Sequence, residues 1–129
     1  MRYILDTHAL VWHLANDARL GPGARQVLAD PTVPLVVPVL VLAETKHVAS
    51  RKRLPVSFDT VLETVNSSPR ITVLPMNQLT VNYLPTNLDI HDAIIVASAL
   101  YCRDYLQEDV AILTNDLAIT NARLVAVVW

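Results

Sequence analysis

The sequence predicts an α/β fold in which helices cover both faces of a mostly parallel sheet of about five strands. Short apolar runs alternate along the chain with longer segments at helical spacing. Because these runs lack alternating polar residues, they are typical of strands buried on both faces. The composition agrees, since 53% of the 129 residues are hydrophobic and 17% are charged, which excludes a disordered chain. We expect residues 1–129 to form one domain.

The beginning of the chain predicts a strand followed by two helices. Tyr3–Leu5 is a short apolar run that ends at an acidic residue, as a buried strand does. Apolar residues then continue at roughly helical spacing over Ala9–Leu14. Gly21 and Pro22 mark a turn, and Pro22 is well placed to precede a helix over Ala24–Ala29.

The central part predicts a second strand and two longer helices. Leu35–Val37 is the strand, and Pro38 opens a helical segment that runs to about Arg53. Pro55–Ser67 is predicted as an amphipathic helix. The apolar residues on one face of that helix are Phe58, Val61, Leu62 and Val65.

The last part predicts three strands and two helices. Ile71–Leu74 is the third strand, and Met76–Leu84 is a short helix that ends before a proline. Asp89 to about Tyr105 is the most apolar helix of the chain. Ala111–Leu113 and Leu124–Val128 are the fourth and fifth strands.

Charge and cysteine content narrow the functional classes. The net charge of −2 excludes an overall basic protein, so nucleic-acid binding would require a local patch. Cys102 is the single cysteine, which excludes an internal disulfide or a zinc site of several cysteines. The most apolar stretch, Val33–Ala43, has eleven residues and two prolines and is too short to cross a bilayer. Asp6 also stands where a signal peptide would need an unbroken apolar run. We therefore expect a cytoplasmic protein that does not bind membranes.

Four carboxylates occupy positions that invite a functional explanation. Asp6 follows the first predicted strand and Asp116 the fourth, so both would face the crevice at the carboxyl edge of a parallel sheet. Glu44 follows five apolar residues in a helix, and Asp92 lies in the first turn of the most apolar helix. The structural alternatives are helix capping by Asp6 and Asp116 and a boundary position for Glu44.

A shared crevice would make these carboxylates a metal site. Several carboxylates in one crevice repel one another unless a cation neutralises them. Oxygen ligands without a cysteine or histidine cluster select Mg²⁺ or Mn²⁺ over zinc. Such an ion activates water for attack on a phosphodiester. The residues themselves thus predict a site for Mg²⁺ or Mn²⁺.

Five segments carry a resemblance to a known family and occur in that family's order. They are Leu5–Trp12, Ala43–Glu44, Ile90–Ala99, Leu113–Asp116 and Leu124–Trp129. With these segments the chain resembles PIN-domain ribonucleases, specifically the VapC-type toxins of toxin–antitoxin pairs. The resemblance extends over essentially the whole chain.

The resemblance implies a PIN-like α/β/α sandwich with an acidic metal site. The positions that match the family's acids are Asp6, Glu44, Asp92 and, as the more variable fourth, Asp116. Thr114 matches a supporting hydroxyl, and Thr7 is a weaker candidate for that role. The implied activity is Mg²⁺- or Mn²⁺-dependent hydrolysis of RNA. The implied partners are a small antitoxin protein that blocks the site and, from family habit and the apolar composition, a second copy of the chain.

The chain departs from the family before the Asp92 helix. Many close relatives carry a Pro-Phe pair and an arginine there, whereas this chain reads Asp-Ile-His-Asp-Ala over Asp89–Ala93. The acid is kept, and a substrate contact from that arginine is put in question.

One basic cluster offers a place for RNA despite the acidic balance. Its candidate RNA-binding residues are Lys46, Arg51, Lys52 and Arg53. Lys46 and Arg53 are seven residues apart and would share a face of a continuous helix. RNA phosphates would be attracted there. The alternative is a solvated helix end, where cations are favourable in any case.

Two other functions remain open from the sequence. The chain could be a catalytically inactive PIN-like module that binds a protein. It could also be a phosphatase with Asp6 as nucleophile, although His8 stands where that chemistry needs a second aspartate. Substitution of Asp6 separates the three functions. It would abolish metal binding in a nuclease, abolish covalent phosphorylation in a phosphatase and have no effect in an inactive module.

Overall fold

The computed structural model describes residues 1–129 and contains one five-stranded sheet in which all neighbouring strands are parallel. The strand order across the sheet is β3-β2-β1-β4-β5. The strands are β1 (Arg2–Leu5), β2 (Leu35–Pro38), β3 (Ile71–Leu74), β4 (Val110–Leu113) and β5 (Val127–Val128). This arrangement confirms the predicted α/β class and the number of strands.

Seven α-helices connect the strands. They are α1 (Thr7–Leu14), α2 (Pro22–Ala29), α3 (Val39–Ala49), α4 (Phe58–Ser67), α5 (Gln78–Val81), α6 (Ile90–Leu100) and α7 (Leu117–Ala122). A π-helical turn over Tyr101–Tyr105 continues α6. None of these helices combines the length and the apolar character needed to cross a membrane.

The three central strands form the middle of the hydrophobic core. Every residue of β2 and β4 is buried, and Ile4 and Leu5 of β1 are fully buried. Side chains that point to both faces are therefore covered, as the absence of polar alternation predicts. The buried helix α6 lies over this sheet with seven consecutive buried residues, Ala93–Ala99.

Successive strands are added on one side of β1 and then on its other side, and the crevice lies where this order switches, between β1 and β4. From β1 the chain continues outward through β2 and β3, and it then crosses back to β4 on the other side of β1. In such sheets, ligands bind beyond the carboxyl ends of the strands at the switch point. Leu5 and Leu113, the last residues of the two strands, pair directly. Asp6 and Thr114 therefore emerge side by side.

The helix α3 ends at Ala49, and the prediction that it continues to about Arg53 is wrong. The Ser50 hydroxyl donates a hydrogen bond of 2.6 Å to the carbonyl of His47 and closes the last turn. Three consecutive cations follow, and then Pro55, which disfavours helical backbone in the residue before it. Lys46 and Arg53 consequently do not share a helix face.

Two other helices begin later than predicted, because the residues that cap them lie after the first residues of the predicted helices. The helix α4 begins at Phe58 and not at Pro55, because the Ser57 hydroxyl accepts a hydrogen bond from the Thr60 N–H. The helix α5 covers only Gln78–Val81, and Asn77 caps it through a reciprocal pair of hydrogen bonds with Thr80.

The last third of the chain differs from the predicted elements in three places. The α-helical pattern ends at Leu100, and a wider turn begins in which the Leu106 N–H donates to the Tyr101 carbonyl five residues earlier. A short helix, α7, follows Asp116 and lies outside the predicted helices. Because Arg123 then adopts a left-handed conformation (φ 54°), the chain turns before it pairs, and β5 is only two residues long.

Trp129 closes the side of the molecule where α1 and α2 meet. Its carbonyl accepts a hydrogen bond from the Gly23 N–H (3.3 Å), and its indole lies 5.8 Å from that of Trp12 between ring centroids. A Cβ atom on Gly21 would lie 2.5 Å from Trp129 Cδ1 and 2.6 Å from its carbonyl carbon. Glycine is therefore required here by close approach and not by backbone conformation.

We expect Gly21→Ala to lower the free energy of unfolding by about 1–3 kcal/mol, the usual cost of overpacking. Gln26→Ala is the control, since it adds no atoms at an exposed position of the same helix. Urea denaturation of both variants measures the difference. Equal stability of the two variants would contradict the close packing of Trp129 on this turn.

Candidate active site

Asp6 is the most buried carboxylate of the crevice, with 6% of its surface exposed. It caps α1, and its Oδ1 accepts a hydrogen bond of 2.7 Å from the Ala9 N–H. Its Oδ2 accepts a second hydrogen bond from the Thr114 hydroxyl. Burial raises the pKa of Asp6 above its usual value, and the two hydrogen bonds oppose this rise. The structure thus holds a buried carboxylate in one fixed orientation.

Thr114 links the ends of β1 and β4. While its hydroxyl donates to Asp6, the same oxygen accepts a hydrogen bond of 3.0 Å from the Asp116 N–H. Thr114 is fully buried, so these two partners satisfy a hydroxyl that water does not reach. Thr114 therefore positions one acid directly and the other through the backbone.

Asp116 caps α7 with one oxygen and leaves the other available. Its Oδ1 accepts hydrogen bonds from Ala118 N–H (2.7 Å) and Ile119 N–H (3.2 Å). Its Oδ2 has no hydrogen-bond partner in the protein. The capping alternative is thus correct for both Asp6 and Asp116, and capping fixes carboxylates that also face the crevice.

Glu44 brings a carboxylate from α3 that has no partner for one of its oxygens. Its Oε1 is buried without a hydrogen bond, and so is the Thr7 hydroxyl oxygen. Burial is the main cause that raises the pKa of Glu44, and the charges of Asp92 and Asp6 add to the rise, whereas His91 lowers it. The neighbouring Thr7 hydroxyl also lowers this pKa, although it does not complete a well-aligned hydrogen bond to Glu44 Oε1. A buried carboxylate oxygen that is left incompletely paired is unusual in a folded protein and is suited to a cation.

Asp92 lies in the first turn of α6, and Asp89 caps that helix by accepting from the His91 N–H (3.0 Å). Burial raises the pKa of Asp92, and the carboxylates of Asp116, Asp89 and Asp6 raise it further. Since Asp116 contributes from across the crevice, the structure places these two acids within electrostatic reach of each other.

The structure brings all six predicted acidic and hydroxyl positions to one edge of the sheet. A single pocket is lined by all four carboxylates, Asp6, Glu44, Asp92 and Asp116, together with Thr7 and His8. Thr114 lies directly beneath it through its bond to Asp6. We call this the acidic pocket.

The donor set of the acidic pocket fits a divalent cation. It offers carboxylate oxygens, an unpaired buried Glu44 oxygen and no thiol, which is the chemistry that suits Mg²⁺ or Mn²⁺. In their present positions, no three His, Cys, Asp or Glu side chains are close enough to enclose a metal ion. The acids therefore line the pocket but are too far apart to coordinate one ion together in these positions. Their roles as metal ligands stay a prediction.

The predicted basic cluster is divided by the early end of α3. Lys46 faces the ring of Phe58, with its Nζ 5.9 Å from the ring centroid, and Arg51 Nε donates to His47 Nε2 (3.1 Å). Lys52 and Arg53 instead line a pocket next to the acidic one. The four residues thus do not act as one helical face.

Arg19 and Trp12 reach the neighbourhood of the site without having been predicted there. Arg19 lies in the loop before α2, and its guanidinium carbon is 4.7 Å from the Trp12 ring centroid. No spacing in the sequence links this loop arginine to Trp12 on α1, because their contact arises only from tertiary packing. Trp12 lies four residues after His8 on α1, so the two rings share a helix face, and this spacing was the one available signal.

The fold and pocket define a class: a parallel α/β protein with carboxylates from two strand ends and two helices gathered at its topological switch point. The profile of the PIN domain family matches residues 3–123. The chain belongs to the PIN domain family.

Solved structures share this fold at low sequence identity. VapBC2 from Rickettsia felis, in a structure bound to a DNA fragment from its promoter, is 16% identical, with a TM-score of 0.68 over 98% of this chain and 97% of that chain. VapBC-1 from nontypeable Haemophilus influenzae is also 16% identical, with a TM-score of 0.60 over 98% of this chain and 96% of that chain. No functionally curated protein matches the sequence.

We expect Thr114→Val to lower the free energy of unfolding by about 1–3 kcal/mol, because Asp6 Oδ2 and the Asp116 N–H both lose a buried partner. Thr114→Ser keeps the hydroxyl and is the matched control, with a smaller loss from the missing methyl group. Urea denaturation in EDTA compares the two. If valine is tolerated as well as serine, the hydroxyl does not hold the strand ends together.

We expect Glu44→Gln to raise the Tm in EDTA at pH 7. Because the pKa of Glu44 is raised on folding, the folded state binds more protons, and the free energy of unfolding falls as pH rises through the carboxyl range. Solvent screens this half-buried group, so the gain is small, about 2 °C. Below about pH 4, where unfolded Glu is protonated too, the gain should vanish.

Thermal unfolding at pH 4 and pH 7 measures this effect. Glu63→Gln is the control, because Glu63 is exposed in the middle of α4 and has no ion-pair partner. An equal gain at both pH values, or the same gain in the control, would show that charge in the pocket is not its cause.

Proposed function

We propose that this protein is a metal-dependent endoribonuclease that hydrolyses RNA phosphodiester bonds and acts as the toxin of a VapC-type toxin–antitoxin pair. Membership of the PIN domain family supports a nuclease. The observation that carries the proposal is the acidic pocket itself, where four carboxylates from β1, α3, α6 and the end of β4 face one another. Burial and mutual repulsion raise the pKa of three of them.

In this proposal, Asp6, Glu44, Asp92 and Asp116 hold one or two Mg²⁺ or Mn²⁺ ions. A divalent ion at this place supplies positive charge for the phosphoryl oxygens and lowers the pKa of water. The protein's part is positioning. Thr114 and the Ala9 N–H fix Asp6, while the α7 backbone fixes Asp116 through its Oδ1. Neither Glu44 Oε1 nor Asp116 Oδ2 makes a well-aligned hydrogen bond that a cation would have to displace.

The chain offers no better nucleophile than water. Both oxygens of Asp6 accept hydrogen bonds from the protein, and the residue two positions later is His8, so a phosphatase with Asp6 as nucleophile is disfavoured. Cys102 is fully buried away from the pocket, and burial raises its pKa to about 11. Hydrolysis by an activated water therefore agrees best with the residues present.

The fold shared with two VapBC structures supports a small antitoxin as the partner. We extend the proposal to a homodimer that works in the cytoplasm. Light scattering of the purified protein, alone and after co-expression with a candidate antitoxin, measures both assemblies. A monomer that captures no partner would remove this part of the proposal and leave the nuclease activity to be tested separately.

RNA cleavage with Mn²⁺ or Mg²⁺ tests the activity. We expect Asp92→Asn to reduce the rate on the order of 100-fold or more, because it removes a proposed ligand, and EDTA to abolish cleavage. Asp59→Asn is the matched control, since Asp59 also lies in the first turn of a helix but is exposed on α4, outside the acidic pocket.

The outcomes separate the remaining functions. Cleavage by the parent and Asp59→Asn, but not by Asp92→Asn, supports the metal-dependent nuclease. Equal cleavage by all three proteins means that the activity lies elsewhere or in a contaminant. If the parent binds Mn²⁺ in a calorimetric titration but cleaves neither total nor structured RNA, the inactive protein-binding module becomes the better description.

A further inference from the structure

A second pocket adjoins the acidic pocket and has the opposite charge. It lies between α1, the loop before α2, and the segment that joins α3 to α4. It shares Thr7, His8 and Val48 with the acidic pocket, so the two pockets adjoin. We call it the cationic pocket.

No Asp or Glu lines the cationic pocket, whereas three cationic residues do: Arg19, Lys52 and Arg53. Arg19 is paired with Asp17 through two hydrogen bonds of 3.0 and 2.7 Å. Lys52 and Arg53 are exposed and have no ion-pair or hydrogen-bond partner for their side chains. Two free cations therefore stand beside a group of carboxylates, and an anion that approaches the pair of pockets is drawn to this side.

The wall between these cations is apolar and aromatic. The rings of His8 and Trp12 stack with their centroids 4.8 Å apart and an interplanar angle of 21°, and the Arg19 guanidinium covers the indole. Val48 and Leu54 complete the apolar surface. Free cations next to aromatic and aliphatic surface are the combination that binds single-stranded nucleic acid, where phosphates meet the charges and a base meets the rings.

We propose that the cationic pocket binds the nucleotide next to the scissile bond, with the phosphate on Lys52 and Arg53 and the base against the exposed ring of His8, since His8 and Arg19 already cover the Trp12 indole. This inference rests on the proposed ribonuclease function, which places the scissile phosphate in the acidic pocket. Adjacent phosphates of one strand would then lie in adjoining pockets of opposite charge. The segment that joins α3 to α4 becomes the part that sets substrate affinity, while the acids carry the chemistry.

Binding and cleavage are measured on the same proteins to test this. The probe is a fluorescein-labelled single-stranded RNA of ten nucleotides, with fluorescence anisotropy in EDTA so that it stays uncut. The variant is Lys52→Ala with Arg53→Ala. The control is Arg123→Asn, which removes an exposed cation outside both pockets and keeps a residue that tolerates the left-handed backbone at this position. Circular dichroism verifies that both variants fold.

We expect the double variant to weaken RNA binding about tenfold or more and to reduce the slope of log Kd against log salt by about one for each lost phosphate contact. With Mn²⁺, its KM should rise by a similar factor while kcat changes less than about threefold, because the acids are untouched. The control should match the parent in every measurement.

Trp12 gives a local signal for the same pocket. In a Trp129→Phe background, Trp12 is the one remaining tryptophan, and RNA should quench its fluorescence in the parent pocket but not with the double substitution. If RNA still quenches Trp12 after the double substitution, the base reaches the pocket without Lys52 and Arg53. That result would overturn the assignment of the phosphate to these two residues.

The inference and the proposed function fail in different ways. If the double variant cleaves and binds RNA like the parent, the cationic pocket is not an RNA subsite, and a protein partner is left as its occupant, while the nuclease stands. If no protein cleaves but the parent binds RNA through Lys52 and Arg53, the pocket stands as an RNA-binding site and the proposed nuclease fails.

Discussion

The hydrogen bonds of one buried hydroxyl hold the centre of the molecule together. The Thr114 hydroxyl joins the end of β4 to the end of β1 by donating a hydrogen bond to Asp6. The same hydroxyl oxygen accepts a hydrogen bond from the N–H of Asp116, the residue that caps α7. This contact fixes the switch point of the sheet, the start of α1 and the start of α7 at once. Both strand-end acids gain their orientation from it, so the acidic pocket depends on a side chain that has no charge.

The sequence predicts the fold well because the buried strands consist almost entirely of apolar residues. Runs such as Leu35–Val37 and Ala111–Leu113 have no polar residue to expose, and their short length favours central strands over helices. The positions of Asp6 and Asp116 follow from the same logic, since residues after parallel strands meet at one edge, whereas Glu44 and Asp92 reach that edge from helices. Helix ends were harder, because they depend on local caps such as Ser57 and on the hydroxyl of Ser50.

The sequence does not predict how side chains from distant segments combine. Lys46 and Arg53 looked like one face, yet the end of α3 separates them, and Arg19 joins Arg53 from a loop more than thirty residues earlier. The same limit applies to electrostatics: burial raises the pKa of Asp6, and Asp6 becomes buried only when distant parts of the chain, among them Thr114, pack around it. Charge identity is local information, whereas charge environment is a property of the finished fold.

The central place of β1 has a consequence for biosynthesis. Its partner β4 begins at Val110, and the residues joined by the Thr114 bond are 108 positions apart. A nascent chain that stops before β4 contains Asp6, Glu44 and Asp92 but has no second wall for the crevice and no hydroxyl to hold Asp6. Chains that end before β4 therefore carry three of the four acids without an assembled acidic pocket, and the pocket forms only once synthesis has passed Asp116.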